Sequence, residues 1–154
     1  MDATQVIRAD LDLGPALHRA FPTLPFRARA VLDGLVLGAG SIGLASRVAT
    51  RLGLPNRFAL THLMHHAGLP ALRELTGWVS VLTWTMAAEQ TGASLLQLAV
   101  LHHRTPAVCY RLVKRVTGLS WRRVQTLGAR WVMHEFLRRC AAVQCSGMRS
   151  SGFH

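Results

Sequence analysis

The feature that most constrains this chain is a recurrence at a spacing of 50 residues. Val48-Ala49, Gly68-Leu69 and the pair Phe58 with Leu63 return as Leu98-Ala99, Gly118-Leu119 and the pair Val108 with Val113. Each copy reads as a short helix, a tight turn and a second helix that ends at a glycine. A chain that repeats such a unit is expected to fold as two copies of it, held apart by whatever lies between them. Two helix-turn-helix units joined by one long helix would make a bipartite reader of duplex DNA.

The charge suits that partner. The chain carries 18 Lys+Arg against 7 Asp+Glu, a formal net charge of +11, and its isoelectric point near 11.6 points to a polyanion. Of the basic residues only Lys114 is a lysine. Arginine favours bidentate contacts to phosphate and to guanine edges. A GC-rich coding sequence would explain the arginine bias as well, but not the scarcity of acids. With 154 residues and 50% hydrophobic content, the chain suffices for one compact domain with a real core.

Three cysteines, Cys109, Cys140 and Cys145, form no disulfide framework and suit a reducing cytosol. Asp2, Asp10 and Asp12 stand where a secretory signal would need an apolar run. The longest stretches free of charged residues and histidine, Gly34 to Ser46 and Leu75 to Ala88, are too short to span a bilayer. The expected location is therefore the cytoplasm, at the nucleoid, with no membrane partner.

Along the chain, residues 1–14 are expected to be loose at the start, followed by a turn or two of helix from Pro15 to Ala20. Pro22 and Pro25 break it. Helical patterning runs from Phe26 to Leu37 and stops at Gly38-Ala39-Gly40. Ser41 offers an N-cap for a helix from about Ile42 to Leu52, with Leu44, Val48, Ala49 and Leu52 at helical spacing. Gly53 fits a helix end with positive φ. Asn56 caps the next helix, which reaches Ala67 with Phe58, Leu60, Leu63 and Met64 inward. Pro70 opens a long helix, Ala71 to Glu89, striped by Leu72, Leu75, Val79, Leu82 and Met86. Ser94 caps a helix to His102. Thr105 with Pro106 starts another that ends at Gly118. Ser120 caps a last helix from Trp121 to about Arg139, and the tail beyond Cys140 has little pattern. No strand period appears, so the fold class is all-α. Residues 1–40 form a helical extension of one or two helices, 41–139 the paired units, and 140–154 a flexible tail.

A helix-turn-helix needs a small residue in its first helix so that the second can cross closely. Ala49 and Ala99 fill that position. The second helix then offers its N-terminal part to the major groove, about 12 Å wide. On the helix 56–67 the apolar positions turn inward, which leaves Asn56, Arg57, Thr61, His62 and His65 outside. On the helix 106–117, Leu112, Val113 and Val116 turn inward. Ala107, Val108, Arg111, Lys114 and Arg115 stay outside, with Arg104 and Thr105 in the turn. Arg57 and Arg111 are candidates for base edges or phosphates, and Thr105, Lys114 and Arg115 for phosphate anchors.

The run Cys109-Tyr110-Arg111-Leu112-Val113-Lys114-Arg115-Val116-Thr117-Gly118-Leu119-Ser120, together with Gly53-Leu54-Pro55, resembles the DNA-binding domain of the AraC/XylS family of transcription regulators. The resemblance covers about Ser41 to Val124. It implies two homeodomain-like units on a long linking helix that read adjacent major-groove segments of promoter DNA. It departs from the family at His103, where a glycine is usual, and at Cys109, with Ala59 its counterpart, where a large aromatic is usual. Thr61 stands where an arginine would parallel Arg111. Members usually carry a separate sensing or receiver domain, which forty preceding residues cannot supply. The resemblance therefore leaves two options open, a homodimer or a separate sensor or receiver protein as partner.

Rival chemistry has less behind it. His62, His65 and His66 share one helical face and could converge on a metal with His102-His103, yet no cysteine or acidic ligand stands at motif spacing. A polar surface beside phosphates is the better reading, with protonation strengthening the contact as pH falls. No phosphate loop, acid pair or nucleophile motif suggests an enzyme, and no cofactor is implied. Glu74, Glu89 and Glu135 read as ordinary surface residues. Trp78, Trp84, Trp121 and Trp131 read as packing groups. The competing class is a helical protein-interaction module that pairs with another regulator and has lost base-specific binding.

Overall fold

A computed structural model describes residues 12–151, of which 147–151 are described by their backbone alone. The expectation for the first residues therefore lies largely outside the described residues. Every regular element among the described residues is an α-helix: α1 (Leu13–Ala20), α2 (Phe26–Leu37), α3 (Ala45–Arg51), α4 (Arg57–His66), α5 (Leu72–Thr91), α6 (Leu95–Leu101), α7 (Pro106–Thr117), α8 (Trp121–Leu127) and α9 (Ala129–Ser151). The all-α class is as the missing strand period implied.

The axis of the molecule is α5. Its 20 residues extend about 30 Å at the usual helical rise. It is buried on most sides, through Leu75, Trp78, Val79, Val81, Leu82, Trp84 and Ala88, because α2, α6, α7, α8 and α9 all pack on it. A helix apolar on so much of its circumference has to be a core helix. Gly77 permits a close approach at one of these contacts. A β-carbon there would lie 2.7 Å from Val116 Cγ2, so the absent side chain is what lets α7 lie against α5. Around the same axis, Phe136 of α9 meets Trp78 at 5.9 Å and Phe21 at 6.2 Å between ring centroids. That tilted and edge-on packing suits ring quadrupoles.

The 50-residue recurrence reappears as backbone hydrogen bonds. In the first copy, Gly53 N–H donates to Thr50 C=O and Leu54 N–H to Ala49 C=O, at 3.0 and 2.9 Å. In the second, His103 N–H donates to Val100 C=O and Arg104 N–H to Ala99 C=O, at 3.2 and 2.8 Å. Both are Schellman closures, which require one residue in the left-handed region. Gly53 takes that role at φ 72° and His103 at φ 54°. Ala49 and Ala99 are both fully buried. In each copy the short helix packs on the helix that follows, α3 on α4 and α6 on α7.

The recurrence slips by one residue beyond the turns. The N-caps Asn56 and Thr105 stand 49 residues apart, because the turn after α3 holds one residue more than the turn after α6. Burial follows the same offset: Leu60 and Met64 are the buried positions of α4, Cys109 and Val113 those of α7. The expected pairing of Phe58 with Val108 and Leu63 with Val113 is thereby corrected. Phe58, expected inside, is 62% exposed, because the extra residue rotates α4 by one position, about 100°.

Four other expectations are corrected. Ser41 caps no helix; Leu44 occupies that position and is exposed, and α3 begins at Ala45. Gly43 at φ 89° keeps 41–44 out of the helix, while Ile42 packs toward Gly34. The last helix is two helices, broken at Gly128, whose φ of 91° and ψ of 170° no α-helix accommodates. The segment from 140, expected as a tail, continues α9 as helix to Ser151, with Cys140 buried against the core. The three glutamates are not idle surface groups. Glu89 accepts the Ala129 N–H at 2.7 Å, Glu74 pairs with Arg139 at 2.6 Å and Glu135 with Arg138 at 2.9 Å. The tryptophans fall as expected: Trp78, Trp84 and Trp121 are buried and Trp131 is half-buried.

Candidate nucleic-acid interface

The residues singled out by sequence all reach the surface. Asn56, Arg57, Thr61, His62 and His65 on α4 are exposed, as are Thr105, Ala107, Arg111, Lys114 and Arg115 on and before α7; Arg104 is half-buried. Local structure fixes several of them. Asn56 Oδ1 accepts the Ala59 N–H at 2.9 Å, which commits its oxygen to capping α4. Thr61 donates its hydroxyl to Arg57 C=O at 3.2 Å. The Arg57 guanidinium lies 5.2 Å from the centroid of the Phe58 ring. Thr105 caps α7 through its extended backbone, without a side-chain bond.

With the one-residue offset applied, the outer faces of α4 and α7 match position by position. His62, His65 and His66 of α4 stand where α7 carries Arg111, Lys114 and Arg115, and each of the six is exposed. The counterpart of Arg111 is therefore His62 rather than Thr61, which matches Tyr110. One helix presents permanent cations and the other imidazoles at the same three positions.

Three of the predicted residues meet in one place. Arg104, Arg111 and Arg115 line a groove of about 730 Å³ with Arg73 of α5. Its apolar lining comes from Leu44, Leu72, Val108 and Leu112. Among the described residues, no acidic residue borders it. Among the described residues, no ion pair involves any of these four arginines. The Arg104 guanidinium sits 5.5 Å from the ring centroid of buried Trp84, a cation–π contact that orients it. Arg115 lies beside Gly77, with its Nη2 3.6 Å from the point a β-carbon would occupy. Lys114, Thr105 and Ala107 lie outside this groove.

A smaller cavity of about 120 Å³ runs along α4, lined by Arg57, Phe58 and Thr61. Ala45 and Leu72 border both cavities. The surface is therefore continuous from α7 across these two residues to α4. No family model, curated protein or solved structure matches the chain.

Arg73 was missed by sequence reasoning. Its position on the connecting helix gives it no motif, and only the packing of α7 on α5 brings it beside Arg111 and Arg115. Burial also sorts the cysteines. The Cys140 thiol is pushed up to about 12 by burial, and by Glu74 in addition, against the opposing effect of Arg139. Burial raises Cys109 as well, with Arg104 pulling the other way. Among the described residues, no three His, Cys, Asp or Glu side chains gather as a metal site. No described helix is long and apolar enough to cross a membrane.

Proposed function

We propose that this chain binds double-stranded DNA through two helix-turn-helix units of AraC type, with α4 and α7 as the probing helices and α5 as the spacer. One observation carries the reading: two helix pairs close by the same hydrogen bonds, and their second helices carry basic and imidazole side chains at matched exposed positions. An uncompensated +11 chain attracts phosphate at long range. The outer faces of two helices then offer side chains of the right reach for a major groove. Arg57, Arg111 and His62 are the base-edge candidates; Thr105, Lys114, Arg115 and His65 grip the backbone. Transcriptional control of a promoter is the role this activity would serve, in the cytoplasm and at the nucleoid.

A second reading is favoured by one feature. Leu96, Val100 and Leu101 of α6 are large apolar side chains left exposed, a surface suited to a protein partner. Selection of duplexes from a random pool at two ionic strengths separates the two. A DNA reader enriches a bipartite site with blocks roughly 10 base pairs apart, as adjacent major-groove segments require. Its log K falls with log salt by about 0.9 for each phosphate neutralised. A pool that emerges unenriched, with no salt-dependent retention, leaves the interaction module standing.

A further inference from the structure

We propose that the groove between α5 and α7 is a binding site for an amphipathic organic anion, a carboxylate carried on a compact aromatic or short hydrocarbon body. Its volume of about 730 Å³ lies within the roughly 300–1,000 Å³ usual for small-molecule sites. Arg73, Arg104, Arg111 and Arg115 all border one space, and among the described residues no carboxylate lines it. Guanidinium binds carboxylate bidentately, with better geometry than a point charge offers. Arg104 is already held over Trp84, so less side-chain freedom is lost when a ligand arrives.

The apolar half of the lining selects the class of anion. Leu44 and Val108, both groove residues, are among the large hydrophobic side chains left exposed. An inorganic anion would neutralise the arginines and leave these side chains wet. A hydrocarbon body tied to the carboxylate covers them and removes their apolar surface from water. A consequence for regulation rests on the duplex reading above: an occupied groove withdraws Arg111 and Arg115 from phosphate, so the ligand releases DNA.

Calorimetric titration of the full chain with 4-phenylbutyrate and with decanoate tests the site without DNA. Saturable binding is expected for at least one of them. The matched neutral alcohol and inorganic phosphate are each expected to bind roughly tenfold or more weakly. Arg73→Ala, on an exposed position of α5, is expected to weaken the carboxylate by about fivefold or more. Thr76→Phe, which fills the groove, is expected to abolish binding; retained thermal melting shows that either variant folds. Absence of saturation with both carboxylates overturns the site. So does equal affinity for the alcohol or for phosphate, or indifference to both substitutions. Duplex retention is measured separately, with and without the carboxylate. Carboxylate binding without duplex retention supports the groove and removes the DNA reading. Duplex retention without carboxylate binding overturns the groove alone.

Discussion

Two residues in this chain hold chemistry that their surroundings decide. His103 sits at φ 54°, in the left-handed region, to close the second Schellman turn. A side chain with a β-carbon is strained there, by about 1–2 kcal/mol. Glycine removes that strain but gains freedom in the unfolded chain, about 0.5–1 kcal/mol. His103→Gly is therefore expected to leave stability unchanged or raise it by up to about 1 kcal/mol, read from urea unfolding; a clear loss would mean the imidazole makes a contact that holds the turn. Cys140 is the other case. The thiolate is the reactive form of cysteine, and a thiol raised to about 12 stays protonated throughout pH 7–9. Cys109 is buried and raised too, while Cys145 is exposed. Native protein treated with a thiol reagent at pH 8 should label Cys145 quickly, with Cys109 and Cys140 reacting only on unfolding. Rapid labelling of Cys140 in the native state would contradict its burial.

At the scale of elements, helix ends and helix phase carry the most consequence. The start of α9 has no capping side chain of its own, since Gly128 precedes it. The orphan N–H of Ala129 is met instead by Glu89 from the end of α5, at 2.7 Å. That bond joins two helices far apart in sequence and places a carboxylate at a helix N-terminus. Glu89→Ala should cost about 1 kcal/mol of stability, as the loss of an N-cap does. Glu89→Gln should recover part of it, and the measure is again the urea midpoint; an unchanged midpoint for the alanine variant would show that water substitutes fully. Phase matters in α4. Because one extra residue in the preceding turn rotates it, position 62 rather than 61 is equivalent to Arg111. His62→Arg should strengthen duplex binding and steepen its salt dependence by about 0.9, as one more phosphate contact does. Thr61→Arg should do so less; equal effects would show that the rotation does not govern the contact.

For the molecule as a whole, the contact between α5 and α7 fixes where the second helix pair sits on the central helix. It depends on a missing side chain. At Gly77 a β-carbon would meet Val116 at 2.7 Å and Leu112 at 3.5 Å. Gly77→Ala relieves the helix of a poor helix former, a gain of about 1 kcal/mol. It also overpacks a buried contact, at a cost of about 1–3 kcal/mol. The clash is with a β-branched side chain fixed on its helix, so overpacking is expected to win. A net loss of about 1 kcal/mol should appear in denaturant unfolding, and the groove should widen as α7 moves out. A variant more stable than the parent would mean that Val116 yields easily.

The sequence by itself determined the helices, most of their ends and the repeated turn. Those features depend on neighbours a few residues away: Asn56 and Ser94 as caps, Gly53 and His103 at positive φ, and the small residues Ala49 and Ala99 four positions ahead of them. Period and capping chemistry are local, so a linear reading suffices for them. Tertiary structure alone decided the rest. The rotation of α4 follows from one additional turn residue, which a repeat matched at constant spacing hides until burial exposes it. The N–H left open by the break at Gly128, that of Ala129, meets a carboxylate forty residues earlier in the chain. The arginine groove exists because Gly77 lets one helix approach another, which brings Arg73 beside Arg111 and Arg115. Charges remote in the chain become one site only when packing brings their backbones together, and no local pattern records that distance.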